Sequence, residues 1–430
     1  MKKIFPLLLT LASFQASFAQ NLTLEGAIEL GLKNRYELQS AYMQLKIDQQ
    51  QNKKINASWL PQVTANGDFR YNSILQKSVL PIGDFGIPGI SPGTTSTVAF
   101  GVPYNTTIGL DAQQKLLDLT KKIDRKINNN SVENQLLTIE IQKTNVRNDI
   151  SEAYFNVLYQ KEKIKLAQEA VVRAQTNLEN GQTRLKAGTA LTNDIERLAL
   201  DLSNQRLASR KAKQDYEFSM DQLKFRMNVN QDTTLEISES LQSLVQKKAP
   251  SSVPPHSNNN TIRKEEIARL GNQLQAKKML KRNAPALSAY GNISLLALNE
   301  DVYPFSYLGL RASITLFGGQ QAKFSAQDYQ IRSQMNQVNI EKYRLDLDFE
   351  IRSVKKSMEY AQLDLEEIEK NITLAKHVYA NDQFRFEKGN IVLSELKNSE
   401  FTLLTAENNY LITTYNYLLT MLKLEKLLGQ

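Results

Sequence analysis

The sequence has no cysteine, only two histidines and a single tryptophan in 430 residues. Without Cys there is no disulfide framework, no thiol nucleophile, no thiolate zinc or iron–sulfur site, and no lipid-modified N-terminal Cys. His256 and His377 lie far apart, which argues against a histidine metal site or a catalytic dyad. No nucleophile–base constellation and no GxxxxGK phosphate loop stands out, so neither an enzyme nor a cofactor is expected. Long apolar runs are missing too. Mean hydropathy is -0.42, and beyond the N-terminal segment no stretch is long enough to span a bilayer as a helix. That argues against a polytopic helical membrane protein. It leaves a β-barrel open, because barrel strands alternate and form no long apolar runs.

What is present begins with a leader. Met1 to Ala19 read as a positive pair (Lys2, Lys3), an apolar stretch from Ile4 to Leu11, and a small-x-small site at Ser17-Phe18-Ala19. This is the pattern of a secretory signal peptide, so residues 1–19 are expected to be removed outside the cytoplasm. The 53 Lys+Arg against 45 Asp+Glu give a formal charge of +8, and loss of Lys2 and Lys3 takes it to +6. In a chain that leaves the cytoplasm this mild basic excess does not indicate nucleic acid.

After the leader, Thr23 is placed to cap a helix that carries Ala27, Ile28, Leu30, Leu32, Leu38, Tyr42, Leu45 and Ile47 and stops at Trp59-Leu60-Pro61. The period then changes to two. Val63, Ala65, Gly67, Phe69 and Tyr71 alternate with Gln62, Thr64, Asn66, Asp68 and Arg70, the pattern of a strand with one apolar and one polar face. A Pro/Gly/Ser/Thr-rich loop follows from Leu80 to Thr97, then a second alternating strand through Thr106, Ile108, Leu110 and Ala112. From about Leu119 to Ala187 Pro and Gly are nearly absent and the spacing is helical, as in coiled coils. Gly188 breaks this helix, and another runs from about Thr192 to Met227.

The second half repeats the first. Gly109-Leu110-x-Ala112 recurs at Gly309-Leu310-x-Ala312, a shift of 200 residues, and the Arg184-x-x-x-Gly188 break recurs at Arg385-x-x-x-Gly389, a shift of 201. Pro61-Gln62-Val63 matches Pro285-Ala286-Leu287 at a shift of 224, so the first strand–strand connection is longer; the second is a short turn near Asn299 to Pro304. The organisation read from this is signal 1–19, repeat 20–230, linker 231–261, repeat 262–430, each repeat being helix, strand, strand, very long helix, Gly turn, helix. In the last helix Leu403-Leu404, Tyr410-Leu411 and Tyr417-Leu418 make a heptad seam.

Four amphipathic strands cannot close a barrel alone. Leu308, Leu310, Ala312, Ile314 and Leu316 form an apolar column suited to lipid, whereas Arg311 belongs in a water-filled lumen. Three chains with four strands each would give about twelve strands and a wide lumen. The aromatic residues near strand ends, Phe69, Tyr71, Tyr104, Tyr303, Phe305 and Tyr307, suit an interfacial belt.

At this point the sequence resembles the TolC-like outer membrane efflux proteins of Gram-negative bacteria. The resemblance rests on Leu22-Thr23-Leu24-Glu25-x-Ala27-Ile28-x-Leu30, Trp59-Leu60-Pro61, the two Arg-x-x-x-Gly turns and the tandem repeat. One departure is Asn34-Arg35, where the family usually has Asn-Pro. The resemblance implies an α+β membrane protein, a trimeric twelve-stranded barrel in the cell outer membrane with four strands per chain, continued by a helical coiled-coil tunnel in the periplasm. It implies a passive duct of a tripartite export system, working with a periplasmic adaptor and an inner-membrane pump. Adaptor docking would fall at the tip turns, Arg184, Gly188, Thr189, Arg385 and Gly389; the pore constriction would carry Glu395, Asp194 and Asn398. The family's Tyr and Arg of the closed-state latch correspond to Phe386 and Ile391, so that latch is not repeated; Lys388 or Arg385 with Asp194 is the substitute expected. The rival reading is a soluble periplasmic coiled-coil scaffold or adaptor. An adaptor would carry its β domain inside a helical hairpin, whereas here the strands lie outside the hairpin turns.

Overall fold

The computed structural model describes residues 20–86, 88–246 and 259–428. The leader, the end of the linker and His256 lie outside the described residues. The described residues divide into two compact units, one drawn from residues 20–43, 136–246, 259–264 and 339–428, the other from residues 44–86, 88–135 and 265–338.

The second unit is built on a four-stranded antiparallel sheet. Its strands are β2 (Gln62–Tyr71), β5 (Tyr104–Leu117), β7 (Ala286–Leu298) and β8 (Asp301–Ser313), in the order β2-β5-β7-β8. The register pairs Thr64 with Asp111, Asp111 with Asn292, and Asn292 with Tyr307. Paired residues share a face and successive residues alternate. One face therefore carries Val63, Phe69, Ile108, Leu110, Ile293, Leu295, Leu308, Leu310 and Ala312. The other carries Thr64, Asn66, Asp68, Thr107, Asp111, Asn292 and Arg311. Asp111 accepts from the amides of Asn66 and Asn292 on both neighbouring strands, so the polar face is cross-linked. On the apolar face Leu308 is 88% and Leu310 68% exposed, far from the usual state of a sheet's apolar side. Strands β2 and β8 are both open edges.

Three details differ from the sequence reading. Ile314 and Leu316 lie past the end of β8, because Pro285 precedes β7 and has no N–H to extend the ladder. The β7–β8 turn is only Asn299-Glu300, with Asn299 left-handed (φ 55°); Pro304 sits within β8, where an edge strand tolerates it. The long connection between β2 and β5 is more than a loop. It holds a second hairpin, β3 (Gln76–Leu80) paired with β4 (Ser96–Phe100), around a single 3₁₀ turn, and this hairpin is the insertion that separates the two repeats.

The first unit is helical. Helix α1 (Leu24–Asn34) starts at Thr23, whose hydroxyl accepts from the Gly26 N–H at 3.2 Å as expected of its cap. The helix read as continuous breaks at Arg35, after which α2 (Tyr36–Ala57) begins. No proline causes this break. Arg35 is extended, and its guanidinium is held by the Arg226 carbonyl at 3.2 Å and Asp149 at 3.4 Å. Gly31 lets α1 approach closely, since a Cβ there would lie 2.0 Å from Ile150 Cδ1. Helices α3 (Lys121–Lys186) and α4 (Thr192–Met227), then α7 (Gln321–Glu387) and α8 (Leu393–Leu428), form the two hairpins. Helix α6 (Asn260–Lys281) leads into β7. The linker contributes β6 (Leu235–Ile237), which pairs in parallel with β1 (Gln20–Leu22), and a short helix α5 (Leu241–Val245). Glu239 fixes this corner: it accepts from the Leu24 N–H at 2.7 Å and from the Tyr154 hydroxyl at 2.8 Å. Burial and the Glu239 charge push the Tyr154 phenol well up, so it stays a donor. Gly319 (φ 61°) and Gln320 (φ 58°) make the bend before α7. Among the described residues no helix is long and apolar enough to cross a membrane.

Candidate functional site

The two hairpin turns have one backbone design. Lys186 and Glu387 end the long helices, and Thr192 and Leu393 begin the next ones after five residues. At the first turn Gly188 is left-handed (φ 73°), its N–H reaches the Leu185 carbonyl at 3.0 Å, and the Thr189 N–H reaches the Arg184 carbonyl at 2.8 Å. At the second turn Gly389 (φ 79°) bonds the Phe386 carbonyl at 3.0 Å, and Asn390 bonds the Arg385 carbonyl at 2.8 Å. This double bond satisfies the last carbonyls of a helix and needs the positive φ that glycine supplies. It explains why Arg-x-x-x-Gly recurs.

The side chains around the turns differ. Arg184 donates to the Phe386 carbonyl at 3.2 Å and to the Thr189 carbonyl at 3.1 Å, and lies 4.5 Å above the Phe386 ring. It thus places a cation at the C-terminal ends of both long helices, where the helix dipole favours one. Arg385 instead pairs with Asp382 at 3.7 Å on its own helix. Lys388 lies 5.4 Å from the centre of the Phe384 ring. Neither is held by Asp194, so the expected substitute latch is not formed within the chain. Phe386 and Ile391, at the family's latch positions, are buried with Leu198, Leu393 and Leu396.

Between the turns lies a cleft of about 510 Å³, lined by Arg184, Gly188, Thr189, Asp194, Gly389 and Glu395 among others. Asp194 and Glu395 sit in the first turns of α4 and α8, favourable places for carboxylates. Asp194 is half-buried and Glu395 exposed. Asn398 is exposed one turn further and lies outside the cleft, as does Arg385. Among the described residues no group of three or more His, Asp or Glu side chains could hold a metal ion; Asp346 and Glu350 are exposed on α7.

Just beyond the cleft lies a buried polar network that the sequence reading missed. Lys397 on α8 donates to Asp201 of α4 and to Glu400 at 2.7 Å. Asn177 of α3 donates to Glu400 at 3.4 Å and to the Tyr379 hydroxyl of α7 at 3.3 Å. All four helices therefore meet around Glu400, which is 3% exposed. Burial, with the Glu400 charge beside it, pushes the Tyr379 phenol up to about 12. Further along, Arg173 of α3 pairs with Glu407 of α8 at 3.0 Å, and burial still raises the Glu407 carboxyl above its ordinary range. The only sequence signal was polar residues on apolar stripes, which does not say that they face each other.

Residues 27–228 match the family model described as outer membrane efflux protein. No curated protein matches the chain. Among solved structures, the fold is similar to the CmeC outer membrane channel of Campylobacter jejuni, with 15% identity, a TM-score of 0.75, and 94% of this chain and 85% of that one covered. It is similar to the open-state MtrE outer membrane channel of Neisseria gonorrhoeae, with 16% identity, a TM-score of 0.74, and 94% and 88% covered. It is also similar to the outer membrane protein VceC of Vibrio cholerae, with 12% identity, a TM-score of 0.72, and 94% and 96% covered. The sequence match of its first repeat and the fold of the whole chain thus point the same way, to similarity with outer membrane efflux proteins.

Proposed function

We propose that three copies of this chain form an outer-membrane efflux duct, a passive channel and not an enzyme, that receives cargo from a periplasmic adaptor and an inner-membrane pump. The observation that carries the assembly is the four-stranded sheet with an exposed apolar face, a cross-linked polar face and two open edges. Joining β8 of one copy to β2 of the next closes twelve strands, puts Leu308, Leu310 and Ala312 against lipid, and gives Arg311 the lumen. Ile314 and Leu316 extend the same column past the strand. The helices make the same demand, since Leu200, Leu207, Phe218 and Phe225 of α4 are each 59% exposed or more. A second copy covers such a seam. The strands flank both hairpins and interrupt neither, which favours the duct over an adaptor.

In this reading the cleft between the turns is the adaptor-docking tip, with Arg184, Gly188, Thr189, Arg385 and Gly389 presenting it. Three copies of Glu395, with Asp194 and Asn398 nearby, ring the axis as an anionic constriction that prefers cations. Single-channel recording in planar bilayers tests this. Glu395→Ala is expected to raise conductance or weaken block by multivalent cations; unchanged conductance and unchanged block would remove the ring.

A further inference from the structure

The sheet register divides the six strand-end aromatic residues into two groups of three. Phe69, Tyr71 and Tyr104 lie on the apolar face, with Tyr104 5.1 Å from Tyr71 and 6.4 Å from Phe69, ring to ring. Tyr303, Phe305 and Tyr307 lie on the opposite face, the one that carries Asp111, Asn292 and Arg311. The expectation of one interfacial belt is therefore met by only half of them in position. The other half stands where a barrel keeps its water.

These three alternate residues form a column on β8 about 13 Å long, taking a rise of about 3.3 Å per residue. Their exposures are 50%, 41% and 50%. Leu296 and Leu298 face the same way on β7, opposite Tyr303 and Asp301. Tyr290 continues the column, edge-on to Tyr307 at 5.9 Å, and its ring is taken by Arg311 at 4.8 Å. The rings nearer the turn have no such cation among the described residues. At that end stand two carboxylates, Glu300 in the turn and Asp301 opening β8, both exposed. The cations of this face are engaged elsewhere, Arg70 by Asp68, Lys115 by Asp118 and Arg311 by Tyr290. Among the described residues neither carboxylate has an ion pair, and open π-faces beside such carboxylates attract organic cations: the ring quadrupole and the carboxylate both favour positive charge, and the apolar surface favours a flat aromatic body.

We propose that Tyr303, Phe305 and Tyr307, with Glu300 and Asp301 at their end, form a contact site for aromatic organic cations near the far end of the pore from the helices. The proposal rests on the duct reading, in which three such columns line the lumen. Cargo of this class would slide along the rings, which are sequence-of-contact sites too weak to retain it.

The test uses the full protein in planar bilayers with tetraphenylphosphonium as probe and tetraphenylborate as its anionic counterpart. Tetraphenylphosphonium is expected to block current, and tetraphenylborate to block far less. Replacing the column (Tyr303→Ser, Phe305→Ser and Tyr307→Ser together) is expected to raise the half-blocking concentration about tenfold, the size of one or two lost cation–π contacts. Equal block of native and variant channels, or equal block by the two probes, overturns the proposal. Should the triple variant fail to insert, the pair Glu300→Gln with Asp301→Asn, outside the aromatic column, serves instead. It is expected to weaken block about threefold, and no change overturns the proposal. Native protein that carries no current at all would fail the duct reading itself, a result distinct from current without selective block.

Discussion

Helices α4 and α8 occupy the same place in the two repeats. Both have 36 residues and both follow a Gly turn. Yet α8 buries Leu396, Leu403, Leu411, Leu418 and Leu424 within its own chain and exposes Phe401 and Ile412, whereas α4 buries Leu198, Leu202 and Leu223 but leaves Leu200, Leu207, Phe218 and Phe225 exposed. The turns show the same split. The second supplies the apolar packing, Phe386 and Ile391, while the first supplies Arg184 as a clasp. A tandem repeat thus sets the same backbone twice and leaves the side chains to divide the work. Neither hairpin is finished inside the chain, since Leu345, Phe349 and Leu374 of α7 stay exposed as well; it is the returning helices, α8 against α4, that differ.

Substitutions can break this asymmetry. The largest effect is expected at Lys397→Ala, which strands the buried Glu400 charge and costs about 3–5 kcal/mol in chemical denaturation. Adding Glu400→Leu to that variant should restore much of the loss, because the uncompensated charge goes with it. Next, Leu396→Ala opens a cavity in α8 and is expected to cost about 2–5 kcal/mol. Leu200→Ala with Leu207→Ala on α4 should change monomer stability by about 0.5 kcal/mol or less, while loosening assembly. Equal losses on the two helices would erase the comparison. At the turns, Arg184→Ala removes two charged hydrogen bonds to carbonyls and should cost about 1.5–3 kcal/mol. Arg385→Ala, whose pair is exposed, should cost about 0.5 kcal/mol or less.

The smallest expected effect is one of pH. Burial holds the Glu407 proton more tightly in the folded chain than in the unfolded one, despite Arg173. Its contribution is therefore fully present below the ordinary value of 4.5 and is lost as pH rises through the raised folded value. Thermal melts of Glu407→Gln should show a flatter pH dependence above 4.5 than the native protein; the same slope in both would assign that dependence to other groups.

Much of this was readable from local pattern. Gly188 and Gly389 marked both turns, Thr192 and Met227 bounded α4, and alternation from Val63 to Tyr71 gave β2 and its faces. What stayed hidden is non-local. The break at Arg35 is made by Asp149 and the Arg226 carbonyl, more than a hundred residues away, so no local breaker announces it. Strands β1 and β6 have three residues each, too few to show a period, and they exist because they pair with each other. The hairpin β3–β4 lay inside a Pro/Gly-rich stretch that reads as loop. Asn177, Asp201, Lys397 and Glu400 look like surface residues of long helices until four helices bring them together. The side of the sheet taken by Tyr303 and Phe305 depends on where β8 begins, and Pro304 misplaced that point by drawing the turn too far.

The central claim is that the open edges of β2 and β8 and the bare seam of α4 are completed by two further copies. The most direct measurement is the molar mass of the detergent-solubilised protein, by sedimentation with the detergent contribution removed. The account predicts three times the chain mass for the native protein, with Leu200→Glu and Leu207→Glu shifting it toward one. A native protein that sediments as a single chain at every concentration would contradict it.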